Sequence, residues 1–157
     1  MKRLACLVSG LAALFLAGCS SDRDATTGEL ENDGIRFVAT DALKSSGLPL
    51  SNLVEADGWL FLSGSLGFAP GEGLVPGGIE PETRQTMQNI EALLSDQGLG
   101  MDSIVKCTVM LADMAEWPAF NEVYKEFFDE NFPARSAFGA SGLAANARVE
   151  VECIARR

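Results

Sequence analysis

Phe132-Pro133-Ala134-Arg135-Ser136 and, fifteen positions beyond its arginine, Glu150 within Val149-Glu150-Val151-Glu152-Cys153-Ile154-Ala155 are the stretches on which the reading of this chain turns. The second alternates. Val149, Val151, Cys153 and Ala155 face one way and Glu150, Glu152 and Ile154 the other, the pattern of a strand with one face in a core. Two glutamates therefore share a face about 6.6 Å apart, close enough for their charges to raise one pKa if the face is covered. Alternation alone leaves two readings open, a solvated outer face of a sheet or a site of carboxylate chemistry. The first stretch supplies Arg135, a planar fork of donors suited to a carboxylate ligand and charged at any working pH. A glutamate can move a proton or orient water.

Working outward, Ile35-Arg36-Phe37-Val38-Ala39 reads as a strand by its β-branched and aromatic content. Asn52-Leu53-Val54-Glu55-Ala56 and Trp59-Leu60-Phe61-Leu62-Ser63 flank Asp57-Gly58, a strong hairpin signal. Residues 69–78 are punctuated by glycine and proline and form a loop. Pro81 suits a first helical turn, and Met87, Ile90 and Leu94 recur at helical spacing before Gly98, so a helix is predicted over 82–97. A valine-rich strand over 104–112 follows, then a second helix over 115–128. Its stripe of Phe120, Val123, Tyr124, Phe127 and Phe128 reads as core. The order β-β-β-α-β-α-β makes an α+β domain, with two helices on one face of a mixed, mostly antiparallel sheet. Strand residues such as Leu60, Leu62, Val109 and Val151 exceed what two helices are expected to cover, which calls for burial between copies of the chain.

At the other end Met1-Lys2-Arg3 precedes an apolar run, the charged head and greasy core of an export signal too short for a spanning helix. Leu16-Ala17-Gly18-Cys19 resembles the lipobox of bacterial lipoproteins. That resemblance implies a signal peptide over 1–18, lipidation of Cys19 and a cell-envelope location anchored through lipid. Ser20 after the cysteine points to the periplasmic face of the outer membrane. Residues 19–34 lack apolar periodicity and read as the lipidated terminus and a flexible tether. The domain is expected over 35–157, one domain by length. Of four cysteines, Cys6 leaves with the signal and Cys19 is lipidated. Cys107 and Cys153 remain in apolar strands, where two core thiols are expected although the compartment permits a disulfide.

Twelve basic residues stand against 22 acidic ones, a formal net charge of −10, and such a surface repels polyanions, so no nucleic-acid partner is expected. The sequence contains no histidine, which excludes a Ser-His-Asp triad, a Cys-His pair and a histidine-based zinc site.

The Pro-Ala-Arg-Ser turn and the Val-Glu-Val-Glu-Cys-Ile-Ala strand resemble the signature of the RidA (YjgF, reactive-intermediate deaminase) family. Three further matches agree: Ser63-Gly64 after the hairpin, Ile104-Val105-Lys106 opening the next strand, and Asn121-Glu122-Val123-Tyr124 in the second helix. The resemblance covers residues 47–157. It implies a chorismate-mutase-like fold, a homotrimer and ligand sites in clefts between subunits. It also implies hydrolytic deamination of 2-imino or enamine acids to 2-keto acids and ammonia, without metal or cofactor. Arg135 is then the clamp for the substrate carboxylate and Glu150 the holder of the attacking water, with Ser63 and Asn121 lining the site. Two positions depart from the family pattern. The usual Gly-Pro-Tyr-x-Gln reads Leu48-Pro49-Leu50-Ser51-Asn52, so Leu50 stands for the pocket tyrosine, and Ala137 stands where the deaminase subgroup often has cysteine. Because imino acids arise from cytoplasmic enzymes, an envelope location keeps an alternative: a non-catalytic lipoprotein of this fold that binds small carboxylates or envelope partners.

Overall fold

The computed structural model describes residues 30–32 and 34–157; the signal over 1–18, Cys19 and most of the expected tether lie outside the described residues. The chain runs β1 (Leu30–Asn32), β2 (Ile35–Val38), α1 (Asp41–Ser46), β3 (Leu53–Ala56), β4 (Trp59–Leu62), α2 (Ile79–Ser95), β5 (Ile104–Leu111), α3 (Trp117–Tyr124), β6 (Ala134–Gly139) and β7 (Val149–Arg156). The strands form one sheet in the order β1-β2-β3-β4-β7-β5-β6, with every pair antiparallel except β5 and β6. The mixed, mostly antiparallel α+β architecture is the one expected.

Local chemistry sets the elements. Asp57 and Gly58 both take positive φ, at 50° and 77°, as the tight turn joining β3 to β4 requires. Gly98, at φ 71°, follows the end of α2, and its amide donates to the Ser95 carbonyl. α2 buries Met87, Ile90 and Leu94 against the sheet, and α3 buries Phe120, Val123 and Tyr124. Burying a side chain of this size contributes about 1.5–3 kcal/mol, so these two stripes and the alternating faces of β5 and β7 carry most of the hydrophobic stabilisation.

Several expectations are corrected. The sheet starts before residue 35, because Leu30–Asn32 pairs antiparallel with β2; three residues held by backbone ladder leave no side-chain period to read. Arg135 lies on a strand, not in a turn: β6 runs parallel to β5 at the sheet edge, and its residues are too small and mixed to announce it. The second helix is shorter than 115–128, with 3-10 turns at Met114–Glu116 and Lys125–Phe127 flanking α3. Finally, Leu60, Leu62, Val109 and Val151 are all buried within one chain, facing the helices. The uncovered face carries other residues, exposing Phe37, Trp59, Phe61 and Phe138.

Cys107 and Cys153 form a disulfide, correcting the expectation of two thiols. They stand directly opposite each other on β5 and β7. Their 46-residue separation hides that adjacency in the sequence.

β7 is clamped at both ends. At its end, Arg157 donates to Glu55 at 2.6 and 3.1 Å and to the Gln97 carbonyl at 2.9 Å. Arg157, with Arg36 adding to it, holds the Glu55 carboxyl at about 2 against the opposing effect of burial. At its start, the Arg148 guanidinium pairs with Glu116 and the Arg148 carbonyl accepts from Ala112 at 2.9 Å.

Candidate active site

Arg135 and Glu150 project from opposite faces of the same sheet. Arg135 lies abreast of Cys107 in the β5–β6 register, and Cys107 abreast of Cys153 in the β5–β7 register, all on the helix-covered side. Glu150 pairs with Met110 and has the parity opposite to the buried Val149 and Val151. Within one chain the two residues therefore head separate candidate half-sites.

The Arg135 half is a cradle built by α3. Asn121 Oδ1 accepts from Arg135 Nη2 at 2.7 Å. The guanidinium carbon lies 4.6 Å from the Tyr124 ring centroid, 5.3 Å from Trp117 and 5.7 Å from Phe120. Such ring faces attract a cation and fix the plane of its fork. Among the described residues no carboxylate pairs with this arginine, so its charge is free for a ligand. A cavity of about 350 Å³ opens beside it, lined by Asn121, Tyr124, Phe132, Pro133, Arg135 and the ion pair of Glu122 with Lys125. Tyr124 stays protonated at working pH, its hydroxyl pushed up to about 12 by burial against the opposing pull of Arg135. Ala137 follows Arg135 on the same face, abreast of Val109, and packs on the core.

The Glu150 half lies on the open side of the sheet, beside the segment leaving β4. Burial pushes the Glu150 carboxyl up, and the charge of Glu152 two residues along adds to the rise. A carboxylate so raised is a better proton acceptor than an ordinary one. Gly64 lies against it. A Cβ at that position would overlap Glu150 Oε1 and sit 2.8 Å from its Cδ. Ser65 and Val151 exchange backbone hydrogen bonds at 2.8 and 3.0 Å, which keeps that segment on the strand. Ser63 Oγ donates to the Ser51 carbonyl at 2.7 Å, so its hydroxyl braces the loop that carries Leu50, whose side chain is exposed.

Of the six residues singled out for the pocket, Asn121, Arg135 and Ala137 lie on the helix-covered side, Glu150 lies on the other with Ser63 next to the Gly64 that abuts it, and Leu50 is exposed on the loop before β3. The sequence assigns no site role to Trp117 or Phe120, and Tyr124 enters there as core and as part of the Asn121–Tyr124 match. Phe120 and Tyr124 are core, and they also seat the arginine; their spacing of three and seven from Trp117 was the available signal. Gly64 entered only as part of a motif, with nothing in the sequence to show what it touches. Among the described residues no group of three or more His, Cys, Asp or Glu side chains could hold a metal ion. None of their helices is long and apolar enough to cross a membrane.

Comparison with known proteins finds relatives over most of the chain. The family described as endoribonuclease L-PSP matches residues 40–157. The 2-iminobutanoate/2-iminopropanoate deaminases of Bos taurus and Homo sapiens are 42% and 36% identical over 121 residues, 76% of this chain and 88% of each relative. Among solved structures, E. coli TdcF with bound serine aligns with a TM-score of 0.67 at 32% identity, covering 70% of this chain and 89% of that one.

Proposed function

Since the chain belongs to the endoribonuclease L-PSP family, and its curated relatives are named imine deaminases, we propose that it hydrolyses 2-imino acids to 2-keto acids and ammonia. The observation that carries the reading is the Arg135 cradle: a guanidinium oriented by Asn121 and three rings, without a carboxylate partner among the described residues, beside a cavity of about 350 Å³. A charge-assisted bond there contributes about 1.5–3 kcal/mol and orients the substrate by its carboxylate. Glu150 takes a proton from water as the water oxygen attacks the imine carbon, giving a carbinolamine. It returns that proton to the amino nitrogen. Glu150 then carries the hydroxyl proton to the nitrogen as the C–N bond breaks, so that ammonia departs and the remaining oxygen becomes the keto group. The imine carbon is already electrophilic, so the reaction calls for neither metal nor cofactor. The family description names ribonuclease chemistry, but a net charge of −10 opposes a polyanionic substrate.

The opposite-facing halves support a homotrimer with composite sites, in which the Arg135 half of one copy meets the Glu150 half of the next. The exposed Phe37, Trp59, Phe61 and Phe138 are the apolar surface such an assembly would bury. A buried Cys107–Cys153 disulfide suits an oxidising compartment and so supports export, with Cys19 as the lipid anchor. The substrate in that compartment is the product of an amino-acid-oxidising or dehydrating enzyme working on the same side of the membrane.

The test generates imine in situ with an amino-acid oxidase and measures ammonia release by the purified protein. Acceleration over buffer is expected, with Arg135→Ala losing both binding and turnover and Glu150→Gln losing most turnover but keeping carboxylate binding. Rates equal to buffer across several side-chain types would overturn the enzyme reading in favour of a carboxylate-binding role.

A further inference from the structure

Glu82 is the one carboxylate buried to within a few per cent among the described residues, and the reaction above does not use it. It stands on α2, and its Oε1 accepts from the backbone amide of Arg148 at 2.6 Å and of Val149 at 3.3 Å. Those are the two residues before Glu150. β5 ladders this part of β7 on one edge, through Leu111 opposite Val149 and Met110 opposite Glu150, but on the other edge β4 reaches β7 only at Ile154–Arg156, apart from the single bridge between Ser65 and Val151. Glu82 also seats the opposite jaw. Gly67 is packed so closely on it that a Cβ there would lie 2.6 Å from Glu82 Cγ and 2.7 Å from its carbonyl oxygen. Three residues earlier in that segment, Gly64 abuts the Glu150 carboxylate. Thr86, one turn along α2, donates to the Glu82 carbonyl at 2.8 Å, and the Thr86 carbonyl lies 3.5 Å from Ser65 Oγ. One buried side chain therefore touches both the strand that carries Glu150 and the segment that limits where its carboxylate can lie.

We propose that Glu82 is a positioning residue for Glu150, fixing the start of β7 and the 64–67 segment so that the Glu150 carboxylate is aimed at the substrate. An acceptor with two oxygens on a buried side chain suits the task, since one oxygen takes both the Arg148 and the Val149 amide. The inference rests on the deaminase reading only for its kinetic consequence. The geometric consequence stands independently of it.

The experiment compares Glu82→Ala and Glu82→Gln in the intact assembly, by kinetics, thermal unfolding and crystal structures of both variants. In Glu82→Ala, kcat is expected to fall on the order of tenfold or more with KM within about twofold, since the Arg135 cradle is untouched. Its crystal structure is expected to show the Glu150 carboxylate moved off Gly64. Glu82→Gln keeps an acceptor oxygen and is expected to recover most of kcat and the parent position of Glu150. A role confined to stability would lower Tm in Glu82→Ala while leaving the kcat of folded protein and the Glu150 position unchanged, and that result would overturn the proposal. If Glu82→Ala does not fold, the proposal is overturned by a Glu82→Gln structure in which the Arg148 and Val149 amides have lost the side chain while Glu150 stays against Gly64. If the parent hydrolyses no imine, the deaminase reading fails, and the crystal structures alone decide on Glu82.

Discussion

Replacing Gly64 by alanine tests whether the Glu150 carboxylate works where the fold puts it. The new methyl would overlap Oε1 and sit 2.8 Å from Cδ and 3.1 Å from Cγ. Carbon atoms settle at about 3.5–4.0 Å, so the carboxyl group must retreat by on the order of 1 Å. Gly64 is not among the positive-φ glycines, so alanine meets no backbone strain. The obstacle is the end of a flexible side chain, which moves at little cost. Stability should therefore change by less than about 1 kcal/mol. Catalysis has no such tolerance: a 1 Å misplacement of a reacting group costs about 100-fold, or roughly 2.7 kcal/mol of barrier. The expected outcome is kcat down about 100-fold, KM within about threefold because Arg135 is untouched, and an unchanged melting curve. The assay is steady-state ammonia release with imine generated in situ, alongside thermal unfolding by circular dichroism. A Gly64→Ala protein with the parent kcat and the parent Tm would refute the assignment of Glu150 as the group that handles the proton.

Two further outcomes are expected. Removing the disulfide by Cys107→Ala/Cys153→Ala releases a 46-residue loop in the unfolded chain and should cost about 4 kcal/mol, lowering Tm by roughly 10–20 °C; equal melting of oxidised parent and variant would show that the bridge does not stabilise the domain. Because burial and Glu152 raise the Glu150 pKa, kcat/KM should fall on the acid side with an inflection above the usual carboxylate range. Glu152→Gln removes the repulsion between the two charges, eases ionisation and moves that inflection to lower pH, and a pH-rate profile unmoved by the substitution would contradict the coupling.

Much of this molecule follows from side-chain pattern alone. The alternation of Val149, Val151, Cys153 and Ala155 against Glu150 and Glu152 is the burial alternation of β7, because strand geometry sends successive side chains to opposite faces whatever the rest of the chain does. Asp57-Gly58 dictates its own turn for the same local reason, since both residues accept positive φ. Tertiary structure alone decided what those faces meet. β6 is a strand because β5 offers it a parallel ladder, and nothing in Ala-Arg-Ser-Ala-Phe-Gly has the period of a strand that must stand alone. Cys107 meets Cys153, and Glu82 meets the amides of Arg148 and Val149, across separations that leave no periodic trace. The separation of Arg135 from Glu150 onto opposite faces belongs to the same class. Proximity in sequence placed them together, whereas the register through β5 set them apart, because a side chain's face is fixed by its parity relative to strands it joins only after folding.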